Sequence, residues 1–158
     1  MNTSDFKIRE IHDHKKRFLE LLLTGDESEE MIDRYLDRGR LLAGFLENRP
    51  IAVCVVTEEG CGMAEVKNLA VSPDCRRKGF GRTMLRHIDS LYPDCVIRIG
   101  TGETPSTLRF YESCGYVYSH RIPDFFKDNY PAPIVEEGVE LCDMVYLAKP
   151  PSDTRTQG

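Results

Sequence analysis

The spacing of apolar positions changes several times along the chain, and each change marks an element. Residues 5–11 alternate Phe6, Ile8 and Ile11 loosely with polar neighbours and predict a first strand. Over 14–23 the spacing becomes helical, with Phe18, Leu19, Leu22 and Leu23 on one stripe, and Gly25 ends the run. Ser28 is a good N-cap for a second helix, with Glu29 and Glu30 in its first turn and Met31, Ile32, Tyr35 and Leu36 on its buried face. Residues 40–46 and 51–57 are near-continuous apolar runs joined by the turn sequence Glu47-Asn48-Arg49-Pro50, and 58–62 is the next turn. With the run that ends at Val71 they predict a three-strand antiparallel meander, buried on both faces.

Ser72-Pro73-Asp74 stops that strand, and from Phe80 the period is helical again, with Phe80, Met84, Leu85, Ile88 and Leu91 on one side. Tyr92-Pro93-Asp94 breaks the helix, 95–99 is a short strand, and Thr104-Pro105 opens another helix as N-cap and first residue. Leu108, Tyr111 and Cys114 share a face of that helix, and Gly115 supplies its left-handed end. Residues 115–120 and 140–147 read as the last strands. Between them, 121–138 holds three prolines, the adjacent Phe125 and Phe126, and several carboxylates; a connection this long in a compact domain calls for a functional role, and its aromatics argue for order. The expected organisation is one domain over 1–148 and a disordered Pro/Ser/Thr-containing tail over 149–158.

Composition narrows the class. The 158 residues are 41% hydrophobic and 30% charged, as in soluble globular proteins, and no apolar run approaches the roughly 20 residues of a bilayer span. The first ten residues lack the apolar core of a signal peptide, so the default location is cytoplasmic. A net charge of −5 argues against a nucleic-acid partner and favours cationic acceptors. The six cysteines form no Cys-x-x-Cys pair and no histidine stands at zinc-ligand spacing, so neither a metal nor, in a reducing cytosol, a structural disulfide is expected.

Against the acidic background, Arg76-Arg77-Lys78-Gly79-Phe80-Gly81 is a basic turn between a strand and a helix. A helix N-terminus presents unpaired N–H groups and about half a positive charge, which suits a phosphate or pyrophosphate. Gly79 and Gly81 lack the Cβ atoms that would hold an anion away, and Arg82 adds charge. Locally, a solvated basic turn with no ligand explains the same residues equally well. The stretch is neither a dinucleotide fingerprint nor a P-loop, since the third glycine and the Gly-Lys-Ser/Thr are missing.

The turn resembles the acetyl-CoA motif Arg/Gln-x-x-Gly-x-Gly/Ala of the GNAT superfamily of N-acetyltransferases. The preceding Asn68-Leu69-Ala70-Val71-Ser72-Pro73 is similar to that family's fourth strand, and Phe110-Tyr111-Glu112-Ser113-Cys114-Gly115-Tyr116 to a second motif. The resemblance implies an α/β (α+β) GNAT fold with a mixed sheet of about six to seven strands and four helices. It implies acetyl transfer from acetyl-CoA to a primary amine, first of all of a small molecule, by direct attack in a ternary complex. A protein or peptide acceptor and a non-catalytic CoA-binding module are the alternatives. The donor would be held by Leu69, Ala70 and Val71, by Arg76, Arg77, Lys78, Gly79, Phe80, Gly81, Arg82 and Thr83, and by Ser106, which stands where many members carry an asparagine.

Glu65 matches the family's general-base position, with pairing to Lys67 as its structural alternative, and Tyr111 the acid that meets the leaving sulfur. The joint between the first two helices, 24–27, would border the acceptor, and Phe125, Phe126 and Tyr130 could wall it. Asp124, Asp128, Glu136 and Glu137 would attract an amine. No metal and no membrane partner is implied, and the chain is expected as a monomer or homodimer.

Overall fold

The computed structural model describes residues 5–152; of the tail expected to be disordered, residues 153–158 lie outside the described residues. The elements run β1 (Lys7–Ile11), α1 (Leu19–Gly25), α2 (Glu29–Asp33), β2 (Arg40–Leu46), β3 (Arg49–Gly60), β4 (Met63–Val71), α3 (Phe80–Leu91), β5 (Val96–Gly102), α4 (Pro105–Ser113), β6 (Val117–Ile122), α5 (Phe125–Asn129), β7 (Val135–Glu136), β8 (Val139–Glu140) and β9 (Met144–Lys149). A seven-stranded sheet has the order β1-β2-β3-β4-β5-β9-β6, and β7 and β8 form a separate two-stranded hairpin. Among the described residues only β4 and β5 pair in parallel; every other neighbouring pair is antiparallel.

The meander β2-β3-β4 forms as expected because both its turns are two-residue turns with positive φ: Glu47 and Asn48 in one, Cys61 and Gly62 in the other. Two such residues match the right-handed twist of the strands they join. The strands therefore run further than their apolar runs, and Arg49 and Pro50 belong to β3 rather than to the turn. The core of β3 is buried on both faces, with Ile51, Ala52, Val53, Cys54, Val55 and Val56 all inaccessible.

One face of the sheet packs α3 and α4 through Met84, Leu85, Ile88, Tyr111 and Tyr116. The other packs α1 and the segment after α2 through Phe18, Leu22, Ile32, Tyr35 and Leu36. Ser28 caps α2 as anticipated, its hydroxyl accepting from the Met31 N–H at 3.2 Å. Among the described residues the α-helices number five rather than four: the connection expected to be irregular folds α5 and the β7-β8 hairpin. The last strand, β9, inserts between β5 and β6, so the two strands that flank α4 in the chain are not neighbours.

Candidate functional site

A break in the sheet creates the site. β4 pairs with β3 along its whole length, but with β5 only where Met63, Ala64, Glu65 and Val66 face Val96, Ile97, Arg98 and Ile99. Past Val66 the strands part, while Gly100, Thr101 and Gly102 continue on β9. The cause is local. Between Val56↔Val66 and Val55↔Asn68 the register skips Lys67, a β-bulge that bends β4 away from β5. The backbone of Lys67, Asn68, Leu69, Ala70 and Val71 thus has one edge without a strand partner. Leu69, Ala70 and Val71, the expected donor-binding strand, lie along that open edge.

The slot runs toward the N-terminus of α3. Gly79 is its N-cap at φ 88°, a left-handed conformation that favours glycine, and no side chain caps the helix. The N–H groups of Phe80, Gly81 and Arg82 consequently have no acceptor within the helix. A Cβ at Gly79 would meet nothing within 4 Å, whereas one at Gly81 would stand 3.2 Å from the Phe110 ring. Gly81 is therefore a packing glycine between α3 and α4.

Arg76 bonds the Val71 carbonyl at 3.3 Å, and Arg77 is exposed at φ 63°. Phe80 is buried against Phe6, ring centroids 4.7 Å apart, and anchors the first turn of the helix. Arg82 turns away from the turn: its guanidinium donates to the Ser113 carbonyl (3.0 Å) and hydroxyl (2.8 Å) at the end of α4. The Thr83 hydroxyl donates back to the Gly79 carbonyl at 3.0 Å. Exposed Lys78 completes the basic rim.

Glu65 lies where β4 and β5 are still paired. Its side chain is 4% exposed, and its two oxygens are bracketed by Arg98 Nε at 2.5 Å and Lys67 Nζ at 2.7 Å. The Arg98 guanidinium lies 5.6 Å from the ring centre of Tyr146, which stacks in turn on His120 at 4.7 Å. The ion pair with Lys67, weighed from the sequence as the structural role for Glu65, is present, and Arg98 adds to it.

Tyr111 is buried on α4 between Phe110 and Tyr116, at ring distances of 5.1 and 6.0 Å. Burial pushes its phenol well above its ordinary value, with Cys54 and Cys114 adding to the shift. At neutral pH it is a fully protonated hydrogen-bond donor.

Two segments distant in the chain meet over the slot. Asp26, in the α1–α2 joint, accepts from the Tyr130 hydroxyl at 2.7 Å, the Tyr35 hydroxyl at 3.2 Å and the Ser28 N–H at 3.2 Å. Tyr130, Phe125 and Phe126 pack their rings on one another at 5.4 to 6.5 Å. Farther along the same connection, Glu137 accepts from the Ser106 hydroxyl at 2.5 Å at the start of α4. Below the joint, buried Asn68 donates to the Leu22 carbonyl (2.9 Å) and the Tyr35 hydroxyl (3.1 Å), tying the open edge of β4 to α1.

The chain matches the acetyltransferase (GNAT) domain family over residues 37–118. It is 30% identical over 152 residues to an N-acetyltransferase of Bacillus subtilis (strain 168), YvbK, covering 93% of this chain and 97% of that one. The chain belongs to the GNAT acetyltransferase family. Among solved structures, a GNAT family acetyltransferase from Elizabethkingia anophelis with acetyl-CoA bound is 30% identical. It superposes with a TM-score of 0.88 over 94% of this chain and 99% of that one. The IAA acetyltransferase from Bacillus cereus ATCC 14579 is 30% identical, with a TM-score of 0.85 over 91% and 98% of the two chains.

The class of enzyme expected from the two motifs is thus that of the family, and the mixed seven-stranded sheet is the GNAT fold. Asn68, Asp26, Tyr35 and Arg98 are residues at the site to which the sequence alone assigns no functional role. Asn68 and Arg98 were visible as polar residues inside apolar strand runs. Asp26 lay within the joint already singled out, but its partner Tyr130 follows 104 residues later and no local pattern connects them.

Proposed function

We propose that the chain transfers the acetyl group of acetyl-CoA to the primary amine of a small molecule by direct attack within a ternary complex. The observation that carries this reading is the continuity of the β4–β5 slot with the uncapped N-terminus of α3. A pantetheine arm needs a narrow cleft with free main-chain polar groups, and its pyrophosphate needs N–H donors and positive charge at one end. Arg76, Arg77, Lys78, Gly79, Phe80, Gly81 and Thr83 supply that end, Leu69, Ala70 and Val71 the edge, and Ser106 the opposite bank. Arg82 serves by fixing α3 to α4. The acetyl-CoA found in the Elizabethkingia relative supports the same donor here. The bridge from Tyr130 to Asp26 supports a small acceptor, since it closes the trough that a long peptide would need.

In the reaction the ammonium first loses a proton. Its nitrogen then attacks the thioester carbonyl, the C–S bond breaks, and the proton lost from the acylated nitrogen goes to the departing thiolate, which leaves as the thiol. Tyr111 donates a hydrogen bond to the departing sulfur. Glu65 takes the ammonium's proton through water rather than by contact, because both its oxygens already hold a cation.

Thiol release from acetyl-CoA with a panel of amines tests the reading. Tyr111→Phe is expected to lower kcat at least about tenfold and leave the KM for acetyl-CoA unchanged. Thiol release with no amine in the panel would overturn the reaction, and an unchanged kcat in Tyr111→Phe would make Tyr111 a core residue alone.

A further inference from the structure

The face of the sheet that carries Glu65 holds a second polar group which the reaction above leaves unused. Side chains alternate between the two faces of a strand. Val66, Ile99, Val145 and Leu147 pack beneath α3 and α4, so Glu65, Arg98, Gly100 and Tyr146 take the opposite face. Gly100 is the first residue of β5 beyond the last pair with β4, Ile99 with Val66, and it stands opposite Tyr146 of β9. Its φ is ordinary, and what calls for a glycine is the ring above it. A Cβ there would stand 3.0 Å from Tyr146 Cε1 and 3.0 Å from Cζ, the carbon that bears the hydroxyl. The ring therefore reaches from β9 across to β5 and brings its hydroxyl to the point where β4 and β5 part.

Two more neighbours fix the ring there. His120, opposite Tyr146 on β6, stacks on it at 4.7 Å with 4° between the planes. Arg98 places its guanidinium carbon 5.6 Å from the ring centre while its Nε stands 2.5 Å from Glu65 Oε1. One guanidinium thus touches both the ring and the carboxylate. Tyr146 is half-buried, and its hydroxyl bonds to nothing among the described residues. A phenol held this firmly with its polar end free is placed to bond a water or a ligand. The charged and titratable groups around it are Glu65 and Lys67 on β4, Arg98 on β5, His120 on β6 and Glu59 near the end of β3. Burial first, then Glu65, push the phenol up from its ordinary value, with Arg98 opposing. It therefore keeps its proton at neutral and mildly alkaline pH.

We propose that Tyr146 is a positioning residue, which holds the water that carries the acceptor's proton to Glu65. One hydrogen of that water goes to the carboxylate and the other to the Tyr146 oxygen, which leaves a lone pair of the water facing the ammonium. The water takes the ammonium's proton as it passes its own to Glu65. The nitrogen gains its lone pair, Glu65 becomes neutral, and the phenol is unchanged. This inference rests on the reaction proposed above and adds the residue that places its relay water.

Tyr146→Phe tests it, since it keeps the ring, the stack and the contact with Gly100 and removes only the hydroxyl. Thiol release from acetyl-CoA is measured with the faster of 1-aminobutane and 2-phenylethylamine, and with the faster of glycinamide and alaninamide. At about pH 9 the α-amine of an amino amide is mostly uncharged, whereas an alkylamine is still an ammonium. At about pH 7 the variant is expected to lose about tenfold in kcat with either kind of amine, with the KM for acetyl-CoA unchanged. At about pH 9 the loss is expected to persist for the alkylamine and to fall to about twofold or less for the amino amide, which no longer needs a relay. Equal CoA affinity of the two proteins in calorimetry checks the fold. An unchanged kcat at the lower pH, or a loss that is the same for both amines at the higher one, would overturn this inference and leave the reaction standing. No thiol release by the unaltered protein with any of the four amines would overturn the small-amine reaction and this inference with it.

Discussion

At the scale of single residues, the glycines separate what sequence can and cannot tell. Gly79 was read as an anion-side glycine and is needed for its φ of 88°. Gly25 reads as a helix end and is the last residue of α1, but its φ is ordinary, and what calls for a glycine is its close approach to Asn68. Gly→Ala at a helix position of ordinary φ stabilises by about 0.5–1 kcal/mol. Here the new Cβ would stand 2.3 Å from Oδ1 and 3.0 Å from Cγ of an amide already held by Leu22 and Tyr35. Overpacking of that kind costs about 1–3 kcal/mol and wins. Gly25→Ala is therefore expected to lower Tm by roughly 2–10 °C in thermal unfolding. A raised Tm would show that Asn68 is free to move, and with it that α1 is not pinned to β4.

At the scale of elements, caps, breakers and two-residue turns were legible because each is a local signal: Ser28, Thr104-Pro105, Gly115 and the Glu47-Asn48 turn all stand where their chemistry called for them. Pairings across long separations were not. Nothing near Met144–Lys149 says that this strand enters between β5 and β6. The bulge at Lys67 is equally silent, because a lysine in an apolar strand reads as an outward residue whether or not the register skips there.

One long-range clasp makes a pH prediction. Arg40, on β2, grips Glu10, on β1, with Nη2–Oε1 at 2.7 Å and Nε within 3.2 and 3.3 Å of the two oxygens, and also reaches the Tyr92 hydroxyl at 3.3 Å. The hydrogen bonds from Arg40 hold the Glu10 carboxyl below its ordinary 4.5. A lowered carboxyl contributes stability above its unfolded value and loses it as the pH falls through the folded one. Glu10→Gln is thus expected to unfold a few degrees lower at pH 7, consistent with about 1 kcal/mol for a partly exposed pair. The gap should close as the pH drops below about 4.5. A gap that is constant with pH would mean that Glu10 acts by packing rather than by charge.

At the scale of the whole molecule, the sheet is two half-sheets hinged on a short seam. β1 to β4 carry α1 and α2, while β5, β9 and β6 form the other half, and the seam is the stretch where Met63–Val66 faces Val96–Ile99. A single apolar cluster crosses it, joining Val66 and Ala52 to Ile97, Ile99, Val145 and Leu147 over Met84 and Ile88. Beyond the seam, a hydrogen bond from Tyr130 in the β6–β9 connection to Asp26 in the α1–α2 joint ties the two halves across the slot. A donor lying in the slot would touch both halves and exist only with the folded state. At a hundred times its Kd it would add about 2.7 kcal/mol by mass action. For a chain of this size that corresponds to a rise in Tm of roughly 5–11 °C. CoA and acetyl-CoA are both expected to give it, since the proposed contacts are with the arm and the phosphates rather than with the acetyl group. NAD and ATP share the phosphates but not the arm, and each should fall well short. Equal stabilisation by ATP would mean that the α3 turn alone binds and that the parting of β4 from β5 holds nothing.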